Sequence, residues 1–411
     1  MVSTLSNTGI KSTETWLASA LLSLLLANVL AILLILLKIP FFPFGSAHTL
    51  FKGVLAYHVN LAMVFWVPMA ACWYWRKLFQ LNNFKGKLAL CLSGLAFIFL
   101  ALSLMDIQND ISLSNYYPIL HSDIFILSLI LQVVSVSILA LEVICCSDNK
   151  QAKLFLAKSA AFVWLILVFS IIGNLLVVDV NYSSDGSFEK LLWAPGHIQQ
   201  TMNSLLIAAM WSYFLNCEKV LPILRLSSWV AGGTCIIALC IQYFSADELI
   251  KRQVFTWQMT LFSWWPMAAV AWQVLKEKLS NLYLGFSLSV AAMGMLVGMI
   301  IVPGTLSIPG HYHGMTGAFN LAFFAILLKN KLNAYSEKLT LLYAGGIILL
   351  IIGLSWAGSL GIGRKLVAEQ QGILTVWQGS AIALIVLGAV IAIATSILIV
   401  KSFFPRTVRR M

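Results

Sequence analysis

The chain has 411 residues, of which 60% are hydrophobic and 10% charged, and its net charge is +11. Length alone admits two or three soluble domains, but that composition excludes them and specifies a polytopic membrane protein. The isoelectric point near 9.3 suggests a nucleic-acid partner, yet the basic residues sit in short loops between apolar runs, so the expected partner is the lipid bilayer and no nucleic acid.

Twelve apolar runs follow one another, at 16–40, 51–76, 87–105, 117–146, 153–179, 193–215, 221–244, 255–275, 281–303, 310–328, 339–358 and 374–403. Each is near the roughly 20 residues that a helix needs to cross a bilayer. They lack strict alternation, so they read as helices and not as barrel strands. The expected fold is one all-α integral membrane domain over residues 1–411, a twelve-helix bundle with short tails at about 1–15 and 404–411. Residues 1–15 are polar and the first run is too long for a signal core, so no cleavable signal is expected. Seven cysteines lie in or at the ends of apolar runs, with only Cys145 and Cys146 adjacent. They read as small membrane residues without metal-site spacing.

Twelve spans put both termini on one side. Seven basic residues, Lys38, Lys52, Lys190, Lys251, Arg252, Arg364 and Lys365, then fall on the other side, which leaves 19 of the 26 with the termini. The positive-inside rule makes the richer side cytoplasmic. The loops 41–50, 106–116, 180–192, 245–254 and 303–309 consequently face outward. Spans 2, 6 and 10 enter from outside, and they carry His58, His197, and His311 with His313 near their starts. Four of the six histidines thus lie in the outer part of the membrane at similar depth. Histidine inside a span is costly and marks function by default. His48 and His121 read as interfacial residues, or, for His121 beside Asp123, as a propionate or proton-path contact.

Span 10 opens with Ile308-Pro309-Gly310-His311-Tyr312-His313-Gly314-Met315-Thr316-Gly317. Two histidines one residue apart on a helix project about 200° apart. They cannot serve one flat ligand from the same side. They can serve two ligands, one on each side of the helix, and imidazole is a common iron ligand in heme. One reading is a helix wedged between two hemes. The other is two polar residues at a membrane surface. The other histidines at the same depth favour the first. Gly310 and Gly314 flank the pair, and they read either as room for a macrocycle or as ordinary helix packing.

One histidine on span 2 in Ala56-Tyr57-His58-Val59-Asn60-Leu61-Ala62, a Gly-His on span 6 in Trp193-Ala194-Pro195-Gly196-His197, and His-x-His on span 10 together resemble catalytic subunit I of the heme–copper oxidase superfamily. The resemblance covers the topology of the whole chain but only three short stretches of residues. It implies two hemes, b-type rather than a-type. His58 and His313 are then the axial ligands of a low-spin heme. His311 ligates a high-spin heme, and His197 stands at one copper-ligand position. It further implies respiratory reduction of oxygen or nitric oxide with electrons from a cytochrome c or quinol. A small subunit II-like partner and a bacterial inner membrane or equivalent respiratory membrane follow from the same resemblance. Trp257, Trp264 and Trp265 read as aromatic belt or packing, with a heme-pocket wall as the alternative. Arg364, Lys365, Lys251 and Arg252 are candidates for heme propionates.

The departures from the family pattern are specific. The chain has no His-His, and an ungapped alignment through Trp264-Trp265-Pro266 puts Ile241-Gln242 where that pair belongs. An amide oxygen is a poor substitute for imidazole at copper. An altered or missing copper site is expected, with His197 and Gln242 lining the distal face of the second heme. The family's span-6 tyrosine is replaced by Thr201, and the span-8 lysine is absent between Val254 and Ala271. Deep acidic residues are few, mainly Asp123 and Glu142, so no proton pumping is expected. Two other readings remain: a non-catalytic diheme electron carrier with His197 closing the second heme, and a heme-handling or gas-sensing protein on the same scaffold.

Overall fold

The structure, a computed structural model, describes residues 7–37, 47–147, 151–178, 185–215, 219–245, 247–277, 281–329, 334–366 and 374–403. Lys38, Lys150, Lys278, Lys331, Arg406, Arg409 and Arg410, with Cys217, the tails 1–6 and 404–411 and parts of the outward loops, lie outside the described residues. The six described cysteines are free thiols.

In chain order the helices are α1 (Asn7–Leu36), α2 (Ala47–Asn60), a π-helical turn (Leu61–Trp66), α3 (Val67–Leu78), α4 (Asn83–Leu102), α5 (Asp123–Cys145), α6 (Ala152–Val177) and α7 (Asp185–Ser212). They continue as α8 (Leu221–Phe244), α9 (Glu248–Phe262), α10 (Trp265–Lys276), α11 (Leu282–Met299), α12 (Ser307–Leu328), α13 (Ala334–Ser359) and α14 (Val376–Lys401). Within the described residues, most of each of the twelve apolar runs lies on one of these helices or on a consecutive set. Among the described residues, nine helical segments are long and apolar enough to cross a bilayer by length and composition. The twelve-span expectation exceeds that number. The runs at 193–215, 255–275 and 310–328, on α7, on α9 with α10, and on α12, fall outside the nine.

Local chemistry explains where runs and helices differ. Pro68 has no N–H to give and its ring crowds the carbonyl four residues back, and the π turn just before α3 absorbs that defect. The run at 117–146 becomes helical only at Asp123. Ile119–Leu120 pairs antiparallel with Ile111–Ser112 as a two-stranded hairpin, and the Ser122 side chain caps α5 at Phe125 N. Pro266, at the start of α10, divides the eighth run at Ser263 and Trp264.

The described residues cluster into two compact units, with the divisions falling inside α1 and at the end of α2. One unit comprises α1 up to Leu24 and Val59–Glu277, hence α3 to α10. Its most enclosed element is α7, buried at every position from Ala194 to Ser212. The other unit comprises Leu25–His58 and Lys278–Arg406, hence the rest of α1, α2 to His58 and α11 to α14. Its most enclosed element is α12, packed on α11 and α13 and buried from Phe319 to Ile326. Lipid-facing helices such as α6, with Phe169 69% and Leu176 81% exposed, must be apolar on that face. A helix that meets only protein has no such demand, so α7 and α12 hold Gln, Asn, Ser, Gly and His without satisfying a hydropathy criterion.

Candidate functional site

Three of the sequence-selected histidines, His58, His311 and His313, belong to the unit of α11 to α14. His58 is near the end of α2, and its Nδ1 lies 2.9 Å from the Ala27 carbonyl of α1. His313 Nδ1 lies 2.8 Å from the Pro309 carbonyl one turn back on α12. His311 Nδ1 lies 2.7 Å from the Gly294 carbonyl of α11. A carbonyl only accepts, so in each ring Nδ1 carries the proton and Nε2 keeps its lone pair. No hydrogen bond to any of the three Nε2 atoms is formed among the described residues. A protein prepares a neutral imidazole to bind a metal in this way, fixing the tautomer and ring plane through the far nitrogen. His58 and His313 are only half-buried.

The glycines of span 10 act on this geometry through helix packing. A Cβ on Gly310 would meet Ser355 Oγ at 3.1 Å on α13, and a Cβ on Gly314 would overlap the Gly294 backbone on α11. Of the two readings of these glycines, packing is the one with observed contacts. The consequence is specific: the Gly314–Gly294 approach brings α11 near enough for His311 to reach the Gly294 carbonyl. Gly298, one turn on, leaves room for the imidazole, since a Cβ there would stand 2.7 Å from His311 Nδ1. Gly294 and Gly298 went unremarked in the sequence reading. Their spacing, Gly-x-x-x-Gly on an apolar helix, is the signal that marks such a contact.

His197 belongs to the other unit, on α7, and its surroundings differ. Its Nδ1 lies 2.8 Å from the Trp193 carbonyl, and its Nε2 lies 3.1 Å from the Tyr116 hydroxyl. Both ring nitrogens are therefore in use. Tyr116 and Tyr117 come from the segment between the hairpin strands. Tyr117 donates its hydroxyl proton to Gln199, whose Nε2 donates to the Met63 carbonyl at 2.6 Å. A cavity of about 80 Å³ is lined by Tyr117, Gln199, Met63, Asn60, Trp164 and Leu167, among others.

Gln242 sits on α8 and donates to Asn174 Oδ1 of α6 at 2.7 Å. Asn174 in turn donates to the Leu191 carbonyl at 2.8 Å. Leu191 is four residues before Pro195, the one proline inside α7, so its carbonyl has no partner within the helix. Asn174 and Gln242 thus repair the proline break two residues before His197. No hydrogen bond joins Gln242 to His197 among the described residues. The structure gives this amide a different partner from the distal ligand that the alignment suggested.

The remaining candidates separate cleanly. Lys251 is paired with Glu248 at 2.6 Å, and that hydrogen bond holds the Glu248 carboxyl below its ordinary range. Arg252 lies over the Trp193 ring at 5.9 Å. The loop carrying Arg364 is tied to the start of α12, with Arg364 N donating to Gly304 O at 3.1 Å and Leu306 N to Ile362 O at 3.0 Å. Trp257 is 58% exposed and Trp265 38%, as a lipid-facing belt requires. His121 bonds Ser112 at 2.8 Å and stacks on Phe188. His48 is exposed at the start of α2.

The residues fit heme and do not fit copper. Heme needs open imidazole lone pairs, which His58, His311 and His313 supply. Copper needs several imidazoles or thiolates converging, and no group of three or more His, Cys, Asp or Glu able to hold a metal occurs among the described residues.

The apolar helices define an integral membrane protein, and its fold is that of a solved heme–copper terminal oxidase chain. A chain solved by cryo-electron microscopy as a heme–copper terminal oxidase dimer superposes on this one with a TM-score of 0.76 at 15% identity, covering 98% of this chain and 84% of that chain. No family model and no curated protein matches the sequence.

Proposed function

We propose that the chain is a heme-binding respiratory oxidoreductase that takes electrons from a cytochrome c or quinol through a low-spin heme to a second heme that reduces oxygen or nitric oxide. His58 and His313 would hold the first heme through their Nε2 atoms. His311 would hold the second. Two b-type hemes are the cofactors. The observation that carries this reading is the shared state of three imidazoles, each with Nδ1–H given to a backbone carbonyl and with no hydrogen bond at Nε2 among the described residues. The hemes, when bound, supply the redox chemistry and the open coordination position. The protein residues hold the ring planes, and the closely packed α11–α12 contact keeps His311 and His313 at fixed spacing on one rigid helix. Arg364, beside the start of α12, is the basic residue we assign to a heme propionate. Twelve spans with both termini cytoplasmic in a bacterial inner membrane, and a small subunit II-like partner, complete the proposal.

The test is an optical spectrum of the purified, dithionite-reduced protein with and without carbon monoxide, with heme counted per chain. Two hemes, one binding carbon monoxide, are expected. Two six-coordinate hemes without carbon monoxide binding would instead identify a diheme electron carrier. A protein purified without heme, and unable to take it up, refutes the reading.

A further inference from the structure

His197 is 2% exposed and is enclosed by aromatic rings. The Trp193 ring centroid is 4.5 Å from the imidazole and the Tyr116 centroid 4.9 Å. Because Nδ1 donates to the Trp193 carbonyl, Nε2 is an acceptor and the Tyr116 phenol is its donor. Two features put the phenol there. A Cβ on Gly196 would overlap the Tyr116 ring, so only glycine at this position lets the ring lie against α7 beside His197. The chain around Tyr116 is clamped by Glu189, on the first turns of α7. Its carboxylate accepts from Asn115 N at 2.7 Å and also from the Asn115 side-chain amide. The Gly-His step that suggested a metal ligand in the sequence therefore has a second explanation. The glycine is a seat for a tyrosine, and the tyrosine uses the lone pair that a metal would need.

We propose that Tyr116 takes, at His197, the place that the sequence resemblance assigns to copper, and that this chain carries no copper there. The inference rests on the diheme reading above for its functional meaning, but its geometry does not depend on heme. A metal at Nε2 has to displace the phenol. It would then find one imidazole set among the Trp193, Tyr116 and Phe255 rings, and no group of three His, Cys, Asp or Glu able to hold it occurs among the described residues. Copper at such a position would add a third one-electron centre to two hemes. A phenol–imidazole pair adds none, and what it offers to a small molecule is a hydrogen bond. Tyr116 is a positioning residue, because it acts through the imidazole, and Gly196 and Glu189 in turn position it.

The experiment uses the full chain, purified from cells grown with added copper. Copper and heme are counted per chain, and the protein is titrated coulometrically from fully oxidised to fully reduced. The expected result is two electrons taken up per chain and only trace copper, unchanged in His197→Ala. One copper per chain with a third electron, both lost in His197→Ala, overturns the inference. Fewer than two hemes counts against the diheme reading, and the copper number still decides this one. A second arm observes the hydrogen bond directly by solid-state NMR of ¹⁵N-histidine-labelled protein. The Nε2 resonance that disappears in His197→Ala is expected to shift in Tyr116→Phe. An unmoved resonance overturns the inference.

Discussion

α7 and α12 play the same part in their own units and end in opposite states. Each is the most enclosed helix of its unit, each has a proline just before its histidine, and each fixes an imidazole by giving Nδ1–H to the carbonyl one turn back. They differ at Nε2. On α12 that atom forms no hydrogen bond among the described residues at either His311 or His313. On α7 the hydroxyl of Tyr116 occupies it. The difference shows that a histidine within a family-like motif is not yet a ligand. What decides is the neighbour of its second nitrogen, and that neighbour comes from a part of the chain that the motif does not contain.

The largest expected effect tests the α12 side of the contrast. His313→Ala, or His58→Ala, removes an axial ligand of the proposed low-spin heme, so pyridine hemochrome analysis is expected to fall from two hemes per chain to one. Two hemes retained with an unchanged spectrum would refute the assignment. His311→Ala is expected to abolish the carbon monoxide difference spectrum while the six-coordinate heme remains. His197→Ala, by contrast, should leave the heme count intact, since its ring is committed to Trp193 and Tyr116.

Packing effects come next. Gly314→Leu forces a side chain into the Gly294 backbone, and overpacking of this kind costs about 1–3 kcal/mol. A lower Tm with weakened carbon monoxide binding is expected, because His311 depends on the same contact. Normal binding would mean that the glycine contact does not place His311. On the α7 side, Gly196→Ala should lower Tm through the Tyr116 ring, and Tyr116→Ala in the same chain should recover most of that loss. Simple addition of the two losses would show that the ring does not rest on Gly196. The smallest effect belongs to Gln242→Leu, which removes one hydrogen bond from the Asn174 brace and costs about 1 kcal/mol. Its heme content should not change, and a lost heme would return Gln242 to the distal site.

The sequence by itself determined the membrane class, the order of the helices and the three stretches that carry histidine. Composition, hydropathy and a two-residue spacing are local properties, and they survive folding unchanged. It also disclosed the absence of the His-His pair, because a missing residue needs no coordinates. Only the tertiary structure decided what the polar groups are for. Gly310 and Gly314 admitted two readings until Ser355 and Gly294 were found against them. Gln242 was aligned to a ligand position, yet it mends a proline break through Asn174, a partner 68 positions earlier in the chain. Tyr116 carried no signal beyond a Tyr-Tyr pair ahead of a proline. Its role exists only because a hairpin, a glycine and a glutamate hold it against His197. The runs on α7 and α12 read as spans in the sequence, yet both are less apolar than the nine clearest spans, because their enclosed faces carry Gln, Asn, Ser, Gly and His. Hydrogen bonds and close backbone contacts join residues far apart in sequence, so their assignment waits on the fold.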